Sequence, residues 1–265
     1  MTASWDSLYL PSDEHEGVAA ILRRALENLG YSLYDPFGLL PGKSYPQTVR
    51  LFVAPPAAGW VRVIGTPDPR LMTPLSATIP CLYLRLNGAE ASIEVFARGD
   101  LRQPETELLP YLRATFTAEH LRRILYDEIA AVSDEPELFA HLPDDVRAAA
   151  GQVDPRQAQR MFDRISGNLL RKAGTDTTTA TAARDLISPP DWSSPGGRRI
   201  VALAGCLTLP DNWREPDFVT LRDAYQLHIR RQRKPDARLY PGDDEVMARV
   251  ANALDYIPVY AGRED

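Results

Sequence analysis

Lysine is nearly missing from this chain. Three lysines, Lys43, Lys172 and Lys234, stand against 27 arginines in 265 residues. Such a bias reflects genome composition or adaptation to heat rather than a particular chemistry. Cysteine is almost as scarce: Cys81 and Cys206 are far apart and each sits in an apolar run, so no disulfide framework is implied and both read as small buried hydrophobes. No uninterrupted apolar stretch reaches the roughly 18 residues of a membrane span. The opening Met1-Thr2-Ala3-Ser4-Trp5-Asp6 lacks a basic region followed by an apolar one, so the expected location is the cytoplasm.

Several motifs are missing too. His15, His120, His141 and His228 are never paired with another histidine or a cysteine at zinc-ligand spacing, and no metal or cofactor is expected. There is no G-x-S-x-G elbow and no dinucleotide fingerprint. The segment Gly38-Leu39-Leu40-Pro41-Gly42-Lys43-Ser44 is one residue short of a phosphate loop, and Pro46 and a strand-like run follow it where such a loop needs a helix. Cys206, within Ala204-Gly205-Cys206-Leu207, is a poor nucleophile because apolar surroundings raise a thiol pKa.

What is present describes a packed mixed protein. Hydrophobic residues make up 44% and charged residues 25%, the balance of a globular chain. The first 150 residues carry 20 acidic and 13 basic side chains and the remainder 16 and 17, which argues against a nucleic-acid interface spread over the whole molecule.

Residues 13–29 form the clearest helix: Ser12 and Asp13 are good caps, Glu16 stands as capping-box partner, and Val18, Ile21, Leu22, Ala25 and Leu29 recur at helical spacing before Gly30. Residues 31–47 read as a loop. Thr48–Ala54 and Trp60–Ile64 read as one hairpin, and Cys81–Leu86 with Glu90–Ala97 as a second around Asn87-Gly88, a dipeptide suited to a tight turn. Thr117 caps a helix bearing the stripe Leu121, Ile124, Leu125, Ile129 and Val132. Further helices follow Asp154-Pro155, then span Phe218, Leu221, Tyr225, His228 and Gln232 up to Pro235, and finally start at Asp243; the apolar stretch 198–209 is ambiguous and is read as helix. Residues 174–197 are rich in threonine, serine, proline and glycine and read as an exposed loop.

The expected fold class is therefore α+β. An antiparallel sheet of about four strands in two adjacent hairpins, covered on one face by helices, occupies residues 1–132, and a mainly α-helical part occupies 133–265. The most specific charge feature is the Arg-rich helix end at 230–238, where Arg230, Arg231, Arg233, Lys234 and Arg238 are candidates for contact with an anionic ligand or nucleic acid. A helix dipole alone also accounts for cations at that position. The functional expectation is a non-enzymatic cytoplasmic protein that binds another protein. Nucleic-acid association through the arginine-rich end is one alternative, and an enzyme site assembled from scattered residues is another.

Overall fold

The computed structural model describes residues 4–38, 44–126, 190–236 and 240–264. Its centre is one antiparallel sheet of eight strands: β1 (Ser4–Pro11), β2 (Ser32–Leu33), β3 (Gln47–Val53), β4 (Trp60–Ile64), β5 (Cys81–Asn87), β6 (Glu90–Ala97), β7 (Asp100–Arg102) and β8 (Ile257–Arg263), in the spatial order β2-β8-β3-β4-β1-β5-β6-β7. Among the described residues there are seven α-helices: α1 (His15–Asn28), α2 (Met72–Ser76), α3 (Pro104–Glu107), α4 (Ala118–Tyr126), α5 (Pro195–Cys206), α6 (Phe218–Arg233) and α7 (Asp243–Arg249).

This corrects the expected fold in four respects. The sheet has eight strands rather than about four, because β1 joins it between β4 and β5, β8 and β2 extend it beyond β3, and β7 extends it beyond β6. β1 contains no β-branched residue, so its local propensity is weak; its strand state is imposed by pairing on both edges, with Tyr9 opposite Arg62 of β4 and Leu82 of β5. β8 carries Pro258 and Gly262, residues that ordinarily argue against a strand. Pro258 is tolerated because β2 reaches only Ala261 and Gly262, leaving the outer edge of β8 unpaired at Pro258.

The two expected hairpins are therefore not adjacent, since β1 lies between them. β3 and β4 pair briefly, with Phe52 opposite Ile64, Val53 opposite Val63 and the Ala54 N–H just beyond donating to the Arg62 carbonyl at 2.8 Å, whereas β5 and β6 pair over their whole length from Cys81–Phe96 to Asn87–Glu90, around a turn in which Gly88 has φ 57°. Nor is the sheet confined to the first half, because β8, near the end of the sequence, pairs with β3 along seven positions.

The sheet is also covered on both faces rather than one. On the first, α1 buries Val18, Ala19, Leu22, Ala25 and Leu26 against Leu8, Leu10, Leu51, Val61 and Val259. On the second, α4 and α5 cover Leu82, Leu84, Leu86 and Val95, while α6 and α7 cover Phe52, Ile64 and Tyr260. A leucine sealed in this way, as Leu22 and Leu26 are, stabilises the fold by about 1.5–3 kcal/mol.

Where helices were expected, the described ones occur, with different caps. α1 begins at His15; Ser12 Oγ accepts from the Glu14 N–H at 3.1 Å, and no side chain caps the helix itself. α6 is capped by Asp217, which accepts from the N–H groups of Val219 and Thr220 at 2.9 and 3.0 Å. The stretch 198–209 is helical as far as Cys206. The helix expected after Asp154-Pro155, the division at 132/133 and most of the Thr/Ser-rich loop lie outside the described residues.

Candidate functional site

α6 carries the candidate cations, and the fold separates them. Arg231 turns toward α7, with Nη1 3.7 Å from Asp244 Oδ1, and the Arg230 guanidinium lies 5.4 Å from the centre of the Tyr240 ring. Lys234 ends the helix, its N–H donating to the Arg230 carbonyl at 2.9 Å. Arg233 goes the other way: its Nη1 donates to the carbonyl of Phe37 at 2.5 Å, across 196 residues of sequence. Arg238 lies outside the described residues.

Arg233 thereby reaches the rim of a cavity of about 440 Å³ between the C-terminal half of α6, the segment 33–37 and β8. Its walls are aromatic. Phe37 sits 4.7 Å from Tyr225 and 5.5 Å from Tyr260, and Tyr34 sits 5.9 Å from Tyr260. Asp35 also lines the cavity and orients the turn, with Oδ1 accepting from the Phe37 N–H at 2.8 Å. Arg23 of α1 comes round the open edge of β8 and donates to the Pro258 carbonyl at 3.3 Å, adding a second guanidinium.

The Tyr260 hydroxyl is buried and has no hydrogen-bond partner among the described residues. Burial pushes its pKa up, so it stays protonated. Aromatic faces, two guanidinium groups and a buried unpaired hydroxyl together suit a planar or apolar group that carries negative charge.

Sequence reading singled out Arg233 and missed its companions. Tyr34 and Phe37 lie on the segment after β2, Arg23 lies on α1, and Tyr260 lies on a strand that was not expected. The aromatic density of Tyr31-Ser32-Leu33-Tyr34-Asp35-Pro36-Phe37 was the available signal, but it falls in a stretch read as loop.

A second arrangement is structural. Arg62, in the middle of β4, is only 4% exposed. It donates from Nε to Ser7 Oγ at 2.9 Å, from Nη1 to the Glu215 carbonyl at 2.7 Å and from Nη2 to the Arg214 carbonyl at 3.1 Å. Tyr9 OH donates to the Trp213 carbonyl and Trp5 Nε1 to that of Arg214 at 3.3 Å, so one face of the sheet grips residues 213–215 through their backbone. Burial lowers the Arg62 pKa from its usual value, but three well-placed acceptors hold the charge. The charged residue inside Trp60-Val61-Arg62-Val63-Ile64 was the visible sign of an inward-pointing polar contact.

The other titratable groups have structural partners. Cys81 and Cys206 are both buried and unpaired, and burial pushes their thiols up to about 12 and about 11, far from a reactive thiolate. His228 Nε2 lies 3.2 Å from the Val250 carbonyl and 3.4 Å from that of Met247, fixing α6 to the end of α7. His120 Nδ1 is 2.8 Å from Thr117 Oγ1 at the start of α4. Among the described residues no group of three or more His, Cys, Asp or Glu side chains is placed to hold a metal ion, and no helix is long and apolar enough to cross a membrane. Comparison with known proteins finds no matching family model, no similar curated protein and no similar solved structure.

Proposed function

We propose that this is a non-enzymatic, cytoplasmic binding protein, and that it engages another protein by taking an acidic, aromatic-containing segment of it into the cavity beside α6. The observation that carries this reading is the placement of Arg23 and Arg233 at the rim of a cavity walled by Tyr34, Phe37, Tyr225 and Tyr260. Guanidinium and phenyl groups hold a ligand without exchanging protons near neutral pH, which favours binding over catalysis. A cavity of this size accepts one large side chain and its neighbours. Two cysteines left unpaired are consistent with a reducing compartment.

The test is calorimetric titration of the whole chain with a blocked tetrapeptide that places phenylalanine among glutamates. Binding is expected, and Arg233→Glu is expected to weaken it by about tenfold or more, because reversing one rim charge both removes an attraction and adds a repulsion. No heat of binding, or an unchanged affinity in the variant, would sink the reading. A single-stranded oligonucleotide that binds more tightly than the peptide, with affinity falling steeply as salt is added, would favour nucleic-acid contact through Arg230, Arg231, Arg233 and Lys234 instead.

A further inference from the structure

Arg62 has bonding capacity left over. A guanidinium carries five N–H groups, and the contacts to Ser7 Oγ and to the Arg214 and Glu215 carbonyls use three of them, one from Nε and one from each Nη. One hydrogen on each Nη therefore has no acceptor among the described residues. Nor is the charge matched. All three acceptors are neutral groups, and Arg62 forms no ion pair among the described residues, although it is only 4% exposed. A buried guanidinium is ordinarily paired with a carboxylate or a bound anion, because carbonyls and hydroxyls stabilise the charge without neutralising it.

The same residue lines a cavity of about 150 Å³ between the β3–β4 connection, residues 210–215 and residues 252–256. That volume holds a ring the size of benzene. Tyr256 lines it too, and is 5% exposed; its hydroxyl makes no hydrogen bond among the described residues. Burial raises the Tyr256 pKa, and the next largest influence on it is the charge of Arg62, which pulls the other way, so the two groups are neighbours and the hydroxyl stays a neutral donor. Much of the remaining wall is apolar, with Pro55, Pro56 and Trp60 on the strand side and Trp213 facing them from the covering segment. Glu215 is the single acidic residue in the lining; it is exposed, and it meets Arg62 through its carbonyl rather than its carboxylate.

We infer that this cavity binds a small organic monocarboxylate, its carboxylate taking the remaining Nη hydrogens of Arg62 and the Tyr256 hydroxyl, and its apolar part lying against Pro55, Pro56 and Trp60. Bound there, the anion supplies the counter-charge that the fold itself withholds. An inorganic anion has no use for a wall of proline and tryptophan, and a neutral molecule has none for a buried cation; the two features together select an apolar acid. The cavity shares no lining residue with the aromatic one beside α6, so the inference stands independently of the partner-binding reading.

The test is a thermal-shift screen of the whole chain against sodium acetate, butyrate and benzoate, each beside its neutral amide, with sodium chloride holding the ionic strength constant, followed by calorimetry on any that act. At least one carboxylate is expected to raise the Tm, while its amide leaves the Tm unchanged. Because Arg62 also holds residues 213–215, the diagnostic variant is Tyr256→Phe, which deletes one hydroxyl and keeps the packing. It is expected to weaken binding by about tenfold or more, the loss of one hydrogen bond to a charged group. Glu215→Gln, which removes the one carboxylate near the ligand, is expected to tighten binding, and Arg233→Glu to have no effect. Absence of any shift, an equal shift from the amides, or wild-type affinity in Tyr256→Phe would each overturn the inference.

Discussion

Replacing Arg62 with alanine is expected to lower the unfolding free energy by about 3 kcal/mol or more, because hydrogen bonds to a charged group are each worth about 1.5–3 kcal/mol and stranded buried acceptors add their own penalty. Three hydrogen bonds go at once: Ser7 Oγ and the Glu215 carbonyl lose the donor Arg62 supplies, and the Arg214 carbonyl keeps only the longer bond from Trp5 Nε1. Lysine at this position restores the charge but not the fork, since one ammonium on a longer stem does not reproduce a planar set of donors aimed at two successive carbonyls. Arg62→Lys should therefore recover only part of the loss. Urea denaturation reads both effects as a fall in midpoint with an unchanged slope. A loss under about 1 kcal/mol for the alanine variant, the net worth of one ordinary hydrogen bond, would show that residues 213–215 are held by something other than Arg62.

The second large effect concerns the last strand. Val259 is 1% exposed and faces Leu51 across the β3–β8 ladder, in the core that α1 seals. Val259→Asp buries a carboxylate with no cation to meet it, a change expected to cost more than about 4 kcal/mol and to leave little folded chain. Leu254→Asp, five residues earlier at a position 40% exposed, is expected to shift stability by no more than about 0.5 kcal/mol. The contrast separates two architectures. If the C-terminal half were an independent helical body, Val259→Asp would leave the cooperative unfolding of the sheet untouched. In the observed fold it abolishes that transition, as a thermal scan followed by far-ultraviolet circular dichroism would show.

These two sites also show where sequence reading succeeded and where it stopped. The β5–β6 hairpin was legible because its instructions are local: alternating β-formers on either side of Asn87-Gly88. α1 and α6 were legible for the same reason, since one apolar stripe and one terminating residue suffice. β1 and β8 were not, because β1 lacks β-branched residues, Pro258 and Gly262 interrupt β8, and each owes its conformation to partners distant in sequence. Ser4–Asn87 and Gln47–Arg263 are contacts that no window of a single chain reveals. Trp60–Ile64 did carry a message: four of its five residues are apolar with no alternation, as in a strand buried on both faces.

The candidate site was legible only in part. The arginine-rich end of α6 was evident as composition, but composition does not separate Arg233, which reaches Phe37, from Arg231, which turns to Asp244. Which cation faces a cavity depends on the helix's rotation over the sheet, fixed by Leu221 and Ala224 beneath it.

The placement of β8 between β2 and β3 underlies the aromatic cavity, since it fixes Tyr260 beneath α6. Hydrogen–deuterium exchange of the intact chain tests that placement directly. Backbone amides of residues 257–263 that bond to β3 are expected to exchange as slowly as those of 60–64, in the same cooperative unit. Exchange of the whole 257–263 segment within seconds, with 60–64 still protected, would contradict it.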